Sequence, residues 1–178
     1  MKIIRNLVLV LTLLLLAGCM EDTFMKDYPQ LEDTKHIYEV VEIDQVLNVF
    51  KNKETQVVLM GFPACPWCQA IVPYVNKIAK EQNMDEVYYL DILEMRDENS
   101  NLHSKYLELK EIIQDAVDKE KDRINGPTII VVKNGELVGY HLDTVASHEM
   151  IDGILPPMNS EQAKELEDIL RNLFQRMH

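Results

Sequence analysis

The stretch Gln56-Val57-Val58-Leu59-Met60-Gly61-Phe62-Pro63-Ala64-Cys65-Pro66-Trp67-Cys68 decides the fold of this chain. An apolar run of strand length ends in a Gly-Phe-Pro-Ala turn, and two cysteines separated by two residues follow at once. Beyond them Ile71, Tyr74, Val75, Ile78 and Ala79 recur at helical spacing to about Gln82. The pattern predicts a buried strand, a turn, and a helix whose N-terminus carries a dithiol. Pro73 falls inside that helix and is expected to kink it.

Working outward, Ile37 to Val41 predicts a first strand, and Ile43, Val46, Leu47 and Phe50 mark one face of a short helix. Val87 to Ile92 predicts another strand, apolar enough for the middle of a sheet. Residues 93–125 are mostly charged, with Leu102, Tyr106, Leu109, Ile113 and Val117 tracing an amphipathic helix. Thr128 to Val132 is rich in β-branched residues. Asn134-Gly135 is a hairpin signal, and Glu136 to His141 returns as the partner strand. Residues 144–159 are irregular. Ser160 is the expected cap of a last helix with Leu166, Ile169, Leu170, Leu173 and Phe174 on its core face. This order implies an α/β fold, a mixed sheet flanked by helices with the hairpin as its antiparallel edge.

The N-terminus reads as a targeting signal. Lys2 and Arg5 precede an apolar run, Leu7 to Ala17, that is too short to span a bilayer, which takes ~20 apolar residues. Leu16-Ala17-Gly18-Cys19 resembles the lipobox of bacterial lipoproteins, which implies a signal peptide over 1–18 and acylation of Cys19. Lipid on Cys19 would hold the chain on the extracytoplasmic face of a cell membrane. Residues 19–36, polar and acidic, are expected to be a tether to a domain over 37–178. Of three cysteines, a lipidated Cys19 leaves only Cys65 and Cys68, in a compartment where disulfides form. The net charge of −12 argues against nucleic acid as a partner and gives no help to membrane binding, so the lipid must anchor.

CxxC at the start of a helix containing Pro73, Gly126-Pro127-Thr128 ahead of a strand, and the Lys133-Asn134-Gly135-Glu136 hairpin together resemble the thioredoxin superfamily. The resemblance covers roughly residues 37–178, with 93–125 as a helical insert before the cis-proline strand. It implies a thioredoxin-like fold and a thiol–disulfide oxidoreductase. Cys65 would be the exposed nucleophile, Cys68 the buried resolving cysteine, and Pro127 the cis-proline beside them. Pro66, Trp67, Gly126 and Pro127 would line the substrate groove. Three features depart from the family pattern. The dipeptide between the cysteines is Pro-Trp, not Gly-Pro. Leu59 stands where thioredoxins place a buried acid. Gly126 replaces a β-branched residue, which is expected to open the groove to a bulkier substrate.

The chemistry follows from position. A free cysteine titrates near pH ~8.5, and unpaired N–H groups with the positive end of the helix dipole favour the thiolate. Pro66 lacks an N–H, so Trp67 and Cys68 are the expected donors to Cys65, and a proline costs nothing in that first turn. Trp67 offers an apolar rim but no positive charge, so the pair is expected to be less oxidising than in strong oxidases. No cofactor is implied. A zinc site would need a second CxxC or a His pair, and the nine methionines show no clustered pattern, so no metal is expected. His103, His141 and His148 are scattered. The expected partners are cysteine-containing exported proteins or a redox partner protein. Two alternatives stand beside the enzyme: an accessory protein for secretion of a disulfide-containing peptide, and a non-catalytic lipoprotein that docks through residues 93–125 and 144–159.

Overall fold

The computed structural model describes residues 23–178. The expected signal peptide over 1–18 and the lipidation site Cys19 lie outside the described residues. Five strands form one sheet in the order β1-β3-β2-β4-β5: β1 (Tyr38–Val40), β2 (Gln56–Gly61), β3 (Val87–Asp91), β4 (Thr128–Lys133) and β5 (Glu136–Leu142). β1, β3 and β2 run parallel, while β4 is antiparallel to β2 and β5 antiparallel to β4. The described helices are α1 (Thr23–Asp27), α2 (Ile43–Lys51), α3 (Pro66–Glu81), α4 (His103–Ile112) and α5 (Ser160–Phe174).

β2 is buried along its whole length because both faces of the sheet are covered. Strand alternation divides its side chains. Val57 and Leu59 join a core with Tyr28 of the N-terminal segment, Ile71, Val75 and Ile78 of α3, and Leu166, Leu170 and Phe174 of α5. Val58 and Met60 join a second core with Ile43, Val46 and Val49 of α2 and Tyr106 and Leu109 of α4. The β4–β5 turn uses Asn134 (φ 53°) and Gly135 (φ 77°), the left-handed pair that a two-residue hairpin requires.

Three sequence expectations change. The tether over 19–36 does not extend to residue 36. Phe24, Tyr28 and Leu31 are buried, the Tyr28 and Tyr89 hydroxyls lie 2.5 Å apart, and Phe24 packs on the rings of Tyr28, Tyr38 and Tyr89. Only Phe24 lies in α1; Tyr28 and Leu31 follow in the turn after it, so three apolar residues among polar ones show no sustained periodicity in the sequence. Asn159, not Ser160, caps α5, its side chain accepting from the Glu161 and Gln162 N–H groups. Gln162 stands three residues after Asn159 and closes the capping box; Ala163, at the same distance from Ser160, could not. The helix expected to reach Val117 stops at Ile112, and a 3₁₀ turn over Gln114–Ala116 carries the chain on, with Val117 still buried. α3 continues through Pro73.

Candidate functional site

The strand register assembles the site. Met60 pairs with Thr128, so one step further along, Gly61 and Phe62 lie against Gly126 and Pro127. The Gly126–Pro127 bond is cis. β2 ends at Gly61, the chain turns, and Cys65 becomes the N-cap of α3 with extended backbone (φ −87°, ψ 117°) and Pro66 next to it. Its Sγ accepts from the Cys68 N–H at 3.4 Å and, as a thiol, donates to the Gly126 carbonyl at 3.1 Å.

The two cysteines are free thiols with unlike surroundings. The Cys68 S–H, donated to Cys65, holds the Cys65 thiol down at about pKa 7, with the Cys68 and Trp67 N–H groups adding to it against burial and the charge of Asp143. Cys68 is driven the opposite way. Donation of its proton to Cys65 comes first, then burial and the nearby Cys65 charge, while the Phe62 backbone and the Arg96 charge work against the rise. Leu59 is buried in the same core as Cys68, so no carboxylate stands at that point of β2.

Cys68 rests in a cradle of two glycines. A Cβ on Gly61 would meet its Sγ at 2.7 Å, and a Cβ on Gly126 would meet it at 3.1 Å and the Phe62 ring at 3.1 and 3.3 Å. The space left by Gly126 is therefore filled by Cys68 and Phe62 and does not widen the groove as expected from sequence.

A cavity of about 710 Å³ opens in front of Cys65, and Pro66, Trp67 and Gly126 share its lining. Pro127 is buried behind this wall and does not line it. Cys65 itself is only 5% exposed, not the open thiol expected, because Gly126, Trp67 and residues after β5 close over it; its access is through the cavity. A second cavity, about 570 Å³, shares Ala64 and Pro66 and extends along Leu155, Pro157 and Met158.

Sequence reading missed the far wall. His141 and His148, scattered along the sequence, both reach the cavity. His148 Nε2 faces the Pro156 carbonyl at 2.8 Å and so must carry its proton, which leaves Nδ1 to accept from Thr144 Oγ1 at 2.9 Å. The Trp67 indole N–H points to the His148 carbonyl at 3.5 Å. His141 Nε2 lies 2.6 Å from the Thr144 carbonyl, and burial holds its pKa below the usual range. Arg96, Lys121 and Arg123, from the stretch between β3 and β4, also line the cavity. Only the sheet topology brings these residues to the dithiol; the charged composition of 93–125 gives no sign of it. Among the described residues no group of His, Cys, Asp and Glu has the makings of a metal site.

A family model described as thioredoxin matches residues 19–114, more than half of the chain. Similar solved structures include a thioredoxin from Nicotiana alata, 12% identical over 80% of this chain and 96% of that one, with a TM-score of 0.46. Thioredoxin O2 from Arabidopsis thaliana, in the oxidized state, is 12% identical over 80% and 99% with a TM-score of 0.45. A thioredoxin from Trypanosoma brucei brucei is 15% identical over 81% and 98% with a TM-score of 0.43. No curated protein matches the sequence.

Proposed function

The chain belongs to the thioredoxin family, and from that premise we propose that it is a membrane-anchored thiol–disulfide oxidoreductase acting outside the cytoplasm. Its substrates are cysteines of exported proteins or of a partner redox protein, and lipid on Cys19 holds it to the membrane. The observation that carries the reading is the asymmetry of the pair: Cys65 lines the cavity with its pKa held at about 7, while Cys68 is 1% exposed and holds its proton.

That asymmetry orders the steps. Cys65 thiolate attacks one sulfur of a substrate disulfide; the substrate S–S bond breaks, a Cys65–substrate disulfide forms, and the expelled sulfur takes up a proton. Forming the mixed disulfide removes the thiolate that accepts the Cys68 hydrogen bond, and with it the charge that opposed a second thiolate. Cys68 then loses its proton, attacks Cys65 Sγ and expels the second substrate sulfur, which takes up a proton in turn. The substrate gains two electrons and two protons, and the pair is left as a Cys65–Cys68 disulfide. A dithiol protein returns it to the dithiol, and the reverse sequence oxidises a substrate dithiol. Trp67 and Gly126, which line the cavity with Cys65, hold the substrate segment across the sulfur.

The test is exchange with a small neutral disulfide, 2-hydroxyethyl disulfide, by the purified chain. Cys65→Ser should abolish turnover, and Cys68→Ser should accumulate a mixed disulfide visible by mass. Exchange retained in Cys65→Ser overturns the assignment, and thiols that stay inert in both redox states favour a docking role. Anchoring is tested separately by detergent-phase partition, which Cys19→Ala should abolish.

A further inference from the structure

The protein carries a formal charge of −12, yet three cations, Arg96, Lys121 and Arg123, converge on the cavity that holds Cys65. Two carboxylates, Asp143 and Glu165, line the same space. Lys121 is already engaged, its Nζ 3.4 Å from Asp118. The two arginines are not: among the described residues neither forms an ion pair with a carboxylate.

Both guanidiniums are held in place by other means. Arg96 lies over the Phe62 ring at 5.1 Å to the centroid and donates from one terminal nitrogen to the Ile124 carbonyl at 2.5 Å. Its Nε is buried and has no hydrogen-bond partner. Arg123 donates from Nε to the Asn125 side chain at 3.3 Å, and Asn125 is fixed in turn by Asp118 at 2.6 Å. Burial is the main cause that lowers the Arg96 pKa and the nearby Arg123 charge adds to it, while Tyr106, hydrogen-bonded to the guanidinium, works against both. Holding two like charges together without an internal counter-ion is costly, and an incoming anion relieves it.

We propose that Arg96 and Arg123 form a clamp for a carboxylate carried close to the reacting sulfur, so that this chain exchanges preferentially with acidic thiols and disulfides. The inference rests on the oxidoreductase reading of the same cavity. Guanidinium is the group suited to the task, because its planar fork meets a carboxylate with two parallel N–H bonds. The carboxylate can belong to an Asp or Glu beside a substrate cysteine or to a small carboxylated thiol. The protein's overall negative field opposes the approach of either, but at ~0.15 M salt it is screened beyond ~8 Å, while the cations lining the cavity act at contact.

The test compares kcat/KM at ~0.15 M salt for two probe sets. The first is 3,3′-dithiodipropionate, 2-hydroxyethyl disulfide and cystamine, which differ in charge. The second is a short disulfide-bonded peptide with Glu, Gln or Lys next to one cysteine. The expected order is anionic over neutral over cationic, with roughly three- to tenfold between the first two for a partly solvated charge contact. Arg123→Gln, at an exposed position, and Arg96→Gln should each bring the anionic-to-neutral ratio toward one. A preference in the small set alone supports the clamp with a small thiol as its source, and a preference in the peptides alone supports it with a protein source. Neutral probes that react while the anionic ones are no faster in either set, or a ratio untouched by both substitutions, overturn the clamp alone. No reaction with any probe overturns the oxidoreductase reading and the clamp with it.

Discussion

The Sγ of Cys68 occupies the position that a side chain on Gly61 would need: a Cβ there would lie 2.7 Å from the sulfur. The last residue of β2 is thus a glycine because the resolving cysteine packs directly on the strand. Gly61→Ala should displace Cys68 and destabilise the dithiol form by about 1–3 kcal/mol, the range for overpacking a filled core. Gly126→Ala, where the approach is 3.1 Å, should do the same more mildly. Denaturant unfolding of the reduced protein measures both. A Gly61→Ala chain as stable as the parent, with Cys68 still inert to alkylation, contradicts the cradle.

Cys65 should be alkylated with a pH midpoint at about 7, while Cys68 stays unreactive well above that. Because the Cys68 S–H is the largest cause of the lowering, Cys68→Ala should move the Cys65 midpoint upward. A folded pKa below the unfolded one contributes stability fully present above the unfolded cysteine value and lost as pH falls through about 7. Iodoacetamide rates with mass detection give both midpoints. An unchanged midpoint in Cys68→Ala removes the thiol–thiol hydrogen bond as the cause.

The N-terminal segment should behave as core. Phe24→Ala should cost about 3 kcal/mol as a buried aromatic truncation. Tyr28→Phe should cost about 1–3 kcal/mol by leaving the buried Tyr89 hydroxyl without its partner. Urea unfolding decides the matter, since a true tether would tolerate both changes with no shift in midpoint.

At the start of α5, Asn159→Ala should cost about 1 kcal/mol and Ser160→Ala much less. The reverse order in thermal unfolding would return the cap to Ser160.

Much of the fold was legible in the residues themselves. Val57 to Met60, β-branched Thr128 to Val132 and the Asn134-Gly135 turn specify strands and a hairpin through local preferences alone, and they appear where expected. Segment ends were less legible. Asn159 and Ser160 are nearly equal as caps, and the choice between them rests on Gln162 reaching back to the Asn159 N–H at 3.0 Å. Phe24, Tyr28 and Leu31 lay hidden because three apolar residues among charged ones reveal their burial only when a partner surface is known.

The sequence by itself determined the dithiol and its place at a helix N-terminus, since strand, turn and CxxC are contiguous and follow from short-range rules. Only the tertiary structure decided what surrounds it. Antiparallel pairing of β4 with β2 brings Gly126, like Gly61, against Cys68, and the return of the chain after β5 brings His148, bonded to Thr144, against Trp67. The same packing sets Arg96 and Arg123 at the cavity. These contacts join residues distant along the chain, and their energy comes from burial and electrostatics at close range, which no local pattern in the sequence encodes.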